Sequence, residues 1–298
     1  MDTKLLRLKY HNDWPKRFQF PAEEAFDALM HERGIVRTLV PANLALSDDH
    51  TFQSYLGFII DALDMLPMRP DLAFEHLWKA LDAEFFIVQQ EIGNHNCSRF
   101  DGFVDKVLND PKTAAGFLQY LPSIPLQTCE YGAKRVIEAS SRNDNHSNTL
   151  LGRAKSAVGE PFINELVCKF PPSANHKPSS SDQRNAGRLF KMLFNGQAIE
   201  LNGTQFAFTD KQRALFVIKV ILANSRNERF HGGVFPPFRS SAATTSTYSH
   251  AYYLFHISYA LLLDVFLYRE YGVIQIDDVR QAIVANVSVF NQLFGDLT

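Results

Sequence analysis

The spacing of apolar residues is the feature that most constrains the fold. Along most of the chain, apolar residues recur at the period of an amphipathic helix, and stretches in which apolar and polar residues alternate are scarce. This pattern predicts an all-α fold. The predicted helices cover residues 22–33, 51–65, 70–92, 99–108, 133–140, 148–158, 181–194, 209–231, 248–271 and 276–294.

One short departure from helical spacing is expected in the middle of the chain. Residues 198–201 and 205–208 have the composition of short strands, and Asn202-Gly203 between them is a dipeptide that favours a tight hairpin turn. The hairpin would lead directly into the predicted helix 209–231.

The charge balance limits the kind of nucleic-acid binding that is possible. The chain has 30 Lys and Arg residues against 32 Asp and Glu residues, and its formal net charge is −2. A domain that binds nucleic acid over a broad surface is usually strongly basic. Any site for a polyanion must therefore be local.

The cysteines and histidines do not form a metal-binding pattern. Cys97, Cys129 and Cys168 are far apart and contain no C-x-x-C pair, which argues against a disulfide framework and against a zinc site. His250 and His256 are six positions apart and miss the i, i+4 spacing of a helical metal pair. We expect no metal and no other cofactor.

The N-terminal residues lack the apolar core of a signal peptide, and charged residues interrupt the long apolar stretches before they reach spanning length. These observations predict a cytoplasmic protein without a membrane partner.

The most informative segment begins at Arg226. A cluster of polar residues abruptly follows the apolar run 215–222, and it contains Arg226, Asn227 and, four positions after Asn227, His231. Two glycines come next. Thus an arginine, an amide side chain and an imidazole are concentrated within two turns at the end of one predicted helix.

This segment resembles the R-x4-H motif of HEPN domains (higher eukaryotes and prokaryotes nucleotide-binding). With Asn227 and the two glycines, it is similar to the RN-x-x-x-HG form of their Apea-like branch. Residues 74–85, which include Trp78, are similar to the Trp-containing, acid-bearing helix that opens many members of that branch. The long apolar helix 248–271 fits the element that closes the family's bundle.

The resemblance implies a HEPN-like helical bundle with additional helices and a long insertion. The chain departs from a compact HEPN domain because residues 86–225 separate the two similar segments. Residues 1–45 contain Trp14-Pro15, Phe20-Pro21 and Val40-Pro41, and we interpret them as an irregular N-terminal extension with one helix and no assigned role. Residues 46–298 would form the HEPN-like domain, with the insertion at about 94–205.

Catalytic HEPN proteins are endoribonucleases, typically of toxin or anti-phage defence systems, and the resemblance implies that activity here. RNA can be cut without metal when its own 2′-hydroxyl attacks the adjacent phosphate, a reaction that needs proton transfer and positive charge on the phosphorane. His231 can exchange protons near neutral pH, and Arg226 stays charged and offers a planar fork of donors. At a helix end, unpaired carbonyls favour a protonated imidazole.

Helical geometry separates the two residues. At about 100° per residue, Asn227 and His231 share a face, so Asn227 is expected to orient the imidazole, whereas Arg226 lies about 140° away. Arg226 must wrap around the helix or, as the resemblance implies, act in a composite site formed by two copies of the motif. We therefore expect a homodimer, with RNA as substrate, single-stranded regions above all, and an antitoxin or defence-system protein as a further partner.

Two supporting residues are less specific. Arg229 is assigned to phosphate contact, and the competing interpretation is a structural arginine paired with Asp or Glu. Asp82 is assigned to brace the Arg226 guanidinium, and the competing interpretation is an ordinary surface acid. Glu228 is interpreted as a surface residue rather than a base.

Two alternatives to a nuclease remain open at this point. One is a non-catalytic HEPN module that binds RNA, a nucleotide or a partner protein, and the other is an all-α protein in which the motif is coincidental. Residues 142–146 resemble the motif but are one residue too short and lie in a Ser/Asn-rich stretch. We interpret them as structural.

Overall fold

The computed structural model describes residues 2–93, 98–113 and 116–297. Of the residues named above, Cys97 lies outside these ranges. The α-helices are α1 (Thr3–Asn12), α2 (Pro21–Glu32), α3 (His50–Asp64), α4 (Pro70–Ile92), α5 (Arg99–Phe103), α6 (Gly116–Tyr120), α7 (Leu126–Ser141), α8 (Asn145–Val158), α9 (Glu160–Lys169), α10 (Ser180–Phe194), α11 (Asp210–Phe216), α12 (Ala223–Phe230), α13 (Thr245–Arg269) and α14 (Ile276–Phe294).

The all-α prediction is confirmed. In the described ranges, the β structure consists of one antiparallel hairpin, β1 (Ile199–Leu201) and β2 (Thr204–Phe206), in which Leu201 pairs with Thr204. Its turn is Asn202-Gly203, as predicted, and both residues have positive φ, 49° and 82°. Glycine tolerates this conformation without strain, and asparagine adopts it more readily than most residues.

Helix α13 is the centre of the fold. Nineteen of its 25 residues are buried, and it packs against α4, α6, α7 and α14. A helix that is apolar all round must be covered by other helices or by lipid. Within the described residues it alone is long and apolar enough to cross a membrane, but 94% of its most apolar window is buried inside the protein. The apolar side chains of α13 therefore pack within the protein core.

Residues 2–45 form two helices and an extended segment that pack on the same core. The Phe26 ring stacks on Tyr248 of α13, with ring centroids 4.0 Å apart. The Val40 backbone exchanges two hydrogen bonds with the side-chain amide of Asn286 in α14, 2.7 and 2.9 Å long. The N-terminal segment thus shares its core contacts with the C-terminal helices.

The described part of the predicted insertion is helical except for the hairpin, and it supports one side of α11 and α12. Helix α8 packs against α11, and α7 packs against α8 and α10. The approach is close at Gly132 of α7, where an added Cβ would lie 3.3 Å from the Phe216 ring. The segment that carries the R-x4-H residues is therefore held between α4 on one side and α7 and α8 on another.

Candidate functional site

The motif lies at the end of one continuous helical rod, which we call the motif helix. It consists of α11, a π-helical segment (Val217–Leu222) and α12. The start is fixed by a capping box, in which the Thr209 hydroxyl accepts from the Gln212 backbone and the Gln212 side chain accepts from the Thr209 backbone. The predicted start at residue 209 is confirmed.

The π segment sets the rotation of α12. A π turn contains an extra residue, so every side chain beyond it is rotated relative to a regular α-helix. Lys219 in this segment is buried, and its ammonium group lies 2.6 Å from Asp101 and 2.9 Å from the Ser156 hydroxyl. A buried charge is tolerated when it is paired and hydrogen-bonded. These contacts with α5 and α8 fix the rotation of the motif helix about its axis.

The motif helix ends where the sequence predicts. His231 is the C-cap residue, Gly232 has φ +67°, and the Gly233 N–H donates to the Glu228 carbonyl over 2.7 Å. This is a Schellman ending, which requires a left-handed residue after the cap and therefore favours glycine. The two glycines consequently place His231 at the carbonyl end of the helix.

The His231 side chain is exposed. Its ring meets the Phe230 ring edge-on at 5.3 Å between centroids, and among the described residues no side chain or backbone group hydrogen bonds to the imidazole. Asn227, which we expected to orient it, instead accepts a 3.2 Å hydrogen bond from Arg226. Both nitrogens of the imidazole are therefore available to a ligand or to another chain.

Within the described ranges, Arg226 carries a charge without a carboxylate partner. Its guanidinium carbon lies 4.5 Å from the centroid of the Phe230 ring one turn away, which is a cation–π contact. No Asp or Glu of the described residues lies within ion-pair distance of it. Arg226 can therefore contact phosphate without first breaking an ion pair.

Arg226 and Phe230 line an open groove between the motif helix and α4. The groove encloses about 620 Å³ and contains two exposed aromatic rings, Phe86 and Phe230. We call it the Arg226 groove. Its lining residues are Glu75, Trp78, Lys79, Asp82, Ala83, Phe86, Arg99, Arg226 and Phe230.

Asp82 lines the same groove but is not paired with Arg226. Its carboxylate lies 3.0 Å from Arg99, and both side chains are about one-third exposed. Asp82 therefore does not brace Arg226 as expected, because its carboxylate is paired with Arg99 of the adjacent helix α5. The structure brings Asp82 and Arg226 into one groove without direct contact between them.

Arg229 is held by two carboxylates of α4. Its Nε donates to Glu75 over 2.6 Å, and its Nη2 donates to Asp71 over 2.9 Å. The guanidinium is 15% exposed, and Asp71, which Arg69 also contacts, is 2% exposed. Burial favours a higher pKa for Asp71, but hydrogen bonds and positive charge from Arg69 and Arg229 hold that pKa below its usual value. The phosphate role of Arg229 stays a prediction, and here the residue anchors α12.

Glu228 is anchored on another side of the helix. It accepts 2.8 Å and 3.1 Å hydrogen bonds from Arg135 and Tyr131 of α7, and Tyr131 also accepts from Asn224. No local pattern in the sequence pointed to α7, because Tyr131 and Arg135 lie more than ninety positions upstream. Of the four consecutive residues 226–229, the last two are bound to the scaffold by ion pairs.

Three histidines outside the motif segment, His146, His250 and His256, have different settings. His146 is exposed in the first turn of α8, where Asp144 caps the helix by accepting from Ser147 over 2.9 Å. Burial, the larger effect, together with the charge of Arg229 lowers the pKa of His250 to about 4. The pKa of His256 is also lowered to about 4 by burial. Neither imidazole is charged at neutral pH.

Among the residues described, no group of three or more His, Cys, Asp or Glu side chains is arranged to hold a metal ion. Metal independence stays a prediction. No family model, no curated protein and no solved structure matches the chain. The HEPN interpretation therefore depends on the motif residues and on their geometry.

Proposed function

We propose that the chain is a metal-independent endoribonuclease of the HEPN kind. The observation that supports this most is that some residues of the motif segment are held in ion pairs while others remain accessible. The neighbouring Glu228 and Arg229 are ion-paired to the scaffold, whereas within the described part of the chain Arg226 has no carboxylate partner and the exposed His231 imidazole has no hydrogen-bonding partner. The positively charged guanidinium of Arg226 and the imidazole of His231, which can transfer protons, are thus both accessible at the end of a helix that is fixed to the scaffold.

The chemistry follows from these two groups. The RNA 2′-oxygen forms a bond to the adjacent phosphorus, its proton passes to a base, and the bond from phosphorus to the 5′-oxygen breaks as that oxygen takes up a proton. The products are a 2′,3′-cyclic phosphate and a 5′-hydroxyl. His231 supplies a proton-transfer group, and Arg226 stabilises the additional negative charge of the phosphorane.

Two copies of the chain would complete the site. Arg226 faces the groove beside α4 and His231 lies at the helix end, about 140° around the axis by helical geometry. A C2 homodimer would bring Arg226 of one copy near His231 of the other. Single-stranded RNA is the proposed substrate and the cytoplasm the proposed location. A toxin or anti-phage role, with an antitoxin or defence-system partner, is part of the same proposal.

One observation favours a second candidate function. The imidazole of His231 has no hydrogen-bonding partner among the described residues, and the side-chain oxygen of Asn227, which was expected to orient it, accepts from Arg226. Proton transfer in catalysis requires a positioned group. A HEPN module that binds RNA, nucleotide or a partner protein without cutting would not need that orientation.

Cleavage of a defined single-stranded RNA separates the two functions. The nuclease proposal predicts cuts that persist in EDTA and leave 2′,3′-cyclic phosphate ends, with His146→Ala as a control histidine variant that retains activity. Binding of the RNA by the purified protein without any cut would favour the second function. Activity abolished by EDTA and restored by a divalent ion would contradict the proposed mechanism.

A further inference from the structure

A second cavity lies on a different side of the motif helix from the Arg226 groove, lined by Ser225, Glu228 and Arg229 rather than by Arg226 and Phe230. It is enclosed by α4, α7, α12, α13 and the loop 232–244, and its volume is about 230 Å³. We call it the α13 cleft. Its lining residues are Asp71, Phe74, Gln127, Tyr131, Arg135, Ser225, Glu228, Arg229, Val234, Phe235, Pro237, Thr247, His250, Ala251 and Leu254.

The charges in the α13 cleft cancel. Arg229 is 2.9 Å from Asp71, and Arg135 is 2.8 Å from Glu228. A phosphate or carboxylate ligand would have to displace an acid from one of these arginines, and a cation would have to displace an arginine. The cleft therefore suits a neutral ligand.

Two neutral polar side chains in the cleft have hydrogen-bonding groups to spare. The side-chain amide of Gln127, half-buried in the first turn of α7, has no hydrogen bond to another described residue. His250 uses Nδ1, which lies 2.9 Å from the Thr128 hydroxyl, and this leaves Nε2 for a ligand. Because the lowered pKa keeps His250 neutral, each ring nitrogen can serve as either donor or acceptor according to the tautomer.

The remaining walls are apolar and partly aromatic. Phe74 is fully buried beneath the cleft, Leu254 and Ala251 come from α13, and the half-exposed Phe235 stands on the loop 232–244. Arg7 of α1 holds that loop, with its guanidinium 4.8 Å from the Phe235 ring centroid. Drug-sized ligands usually occupy pockets of about 300–1,000 Å³. The smaller α13 cleft suits a single flat ring system.

We propose that the α13 cleft binds a nucleobase: a neutral, planar ring with donors and acceptors on its edge that Gln127 and His250 can recognise. The biological role rests on the proposed ribonuclease function, in which the base would belong to a nucleotide near the scissile phosphate. The motif helix would then place the catalytic residues at its end, and its side would line the α13 cleft that recognises the base. A free nucleoside would present the same base to the cleft, and the experiment below distinguishes it from a base within RNA.

Gln127→Ala is the most informative variant, because the amide has no hydrogen bond to another described residue and its loss should leave the fold unchanged. Gln281→Ala on α14, an exposed glutamine outside the cleft, is the matched control. The probes are adenosine, guanosine, cytidine and uridine, titrated into the full-length protein by NMR. A set of RNA oligonucleotides that differ at one base tests the base preference of cleavage.

We expect at least one nucleoside to bind. Gln127→Ala should weaken that binding about tenfold, the effect of losing one hydrogen bond of about 1.4 kcal/mol, and Gln281→Ala should not. If cleavage shows a base preference that Gln127→Ala removes, the base comes from RNA; if the preference is unchanged, the cleft takes a free nucleoside. Nucleoside binding without RNA cleavage would support the cleft and overturn the nuclease.

Absence of binding by all four nucleosides, together with cleavage unaffected by Gln127→Ala, would overturn the cleft proposal and leave the nuclease in place. Ala251→Leu, which adds bulk inside the cleft, provides a second check that does not depend on Gln127. It should block nucleoside binding in a protein that circular dichroism shows to be folded.

Discussion

The guanidinium of Arg226 lies over the ring of Phe230, 4.5 Å from its centroid, while the guanidinium of Arg229 three positions later is bound by Asp71 and Glu75. Two arginines of one helix turn therefore differ in whether a carboxylate balances their charge. Arg226 has no carboxylate partner among the residues that the structure describes, whereas the charge of Arg229 is balanced by two carboxylates of α4. This difference leads to distinct predictions for their replacement.

Arg226→Ala should reduce the initial rate of RNA cleavage by about 10² to 10⁴, the usual effect of removing a group that stabilises transition-state charge. Arg226→Lys should also lose most activity, because an ammonium cannot reproduce the two-pronged contact of a guanidinium with phosphate. Both variants should unfold in urea near the parent midpoint, since Arg226 makes no ion pair within the described chain. Full activity of Arg226→Ala would contradict its assignment.

Arg229→Ala should act on stability instead. Removing this side chain leaves Asp71 nearly buried with Arg69 as its remaining partner, and we expect a loss of about 1–3 kcal/mol in the free energy of unfolding. Urea denaturation measures it. If Arg229→Ala were as stable as the parent but inactive, the phosphate role first assigned to Arg229 would be favoured over the anchoring role.

Mixing two inactive variants tests the composite site. If each site takes Arg226 from one subunit and His231 from the other, a heterodimer of Arg226→Ala with His231→Ala contains one intact site. Random reassociation should then restore about a quarter of the parent activity, because half of the dimers are mixed and each has one site of two. Cleavage rates after co-refolding give the answer. No recovery in a confirmed heterodimer would place both residues of a site in one subunit.

Stability should fall as the pH falls from 7 towards 4, in part because of His256. The Nε2 of this residue is 2.7 Å from the Thr38 carbonyl and its Nδ1 is 2.6 Å from the Tyr120 hydroxyl. Its pKa is about 4 in the folded protein, against 6.5 for an unperturbed histidine, so between these values the unfolded chain binds the additional proton. The free energy of unfolding therefore rises with pH across this window, by up to about 3 kcal/mol.

Urea titrations at pH 7, 6 and 5 measure this dependence. In His256→Gln the slope against pH should be smaller than in the parent, whatever the absolute stability of the variant. An unchanged slope would show that His256 does not contribute to the pH dependence.

The sequence predicted the helices that bury a regular apolar stripe and the helix end that carries the motif. It missed α9, because Pro161 is a residue type that breaks helices in their interior, although proline is tolerated in the first turn. It also missed α1, whose two exposed leucines give no clear stripe.

The partners of the motif residues could not be predicted for a different reason. Glu228 pairs with Arg135 and Arg229 with Asp71, residues from helices more than ninety positions away. Asp82 pairs with Arg99 because α5 follows α4 directly and packs against it. The π segment that rotates α12 has no recognisable pattern in its apolar sequence. Local spacing located the motif, but tertiary packing decided which of its charges remain unpaired.

The most direct test of the central claim is the initial rate at which the parent and His231→Ala cleave a single-stranded RNA, with the product ends identified. The exposed imidazole contributes little to packing, so His231→Ala should fold normally, as circular dichroism will show, and cleave about 10² to 10⁴ times more slowly. The parent should leave 2′,3′-cyclic phosphate ends. A folded and fully active His231→Ala would contradict the assignment of this motif as the active site.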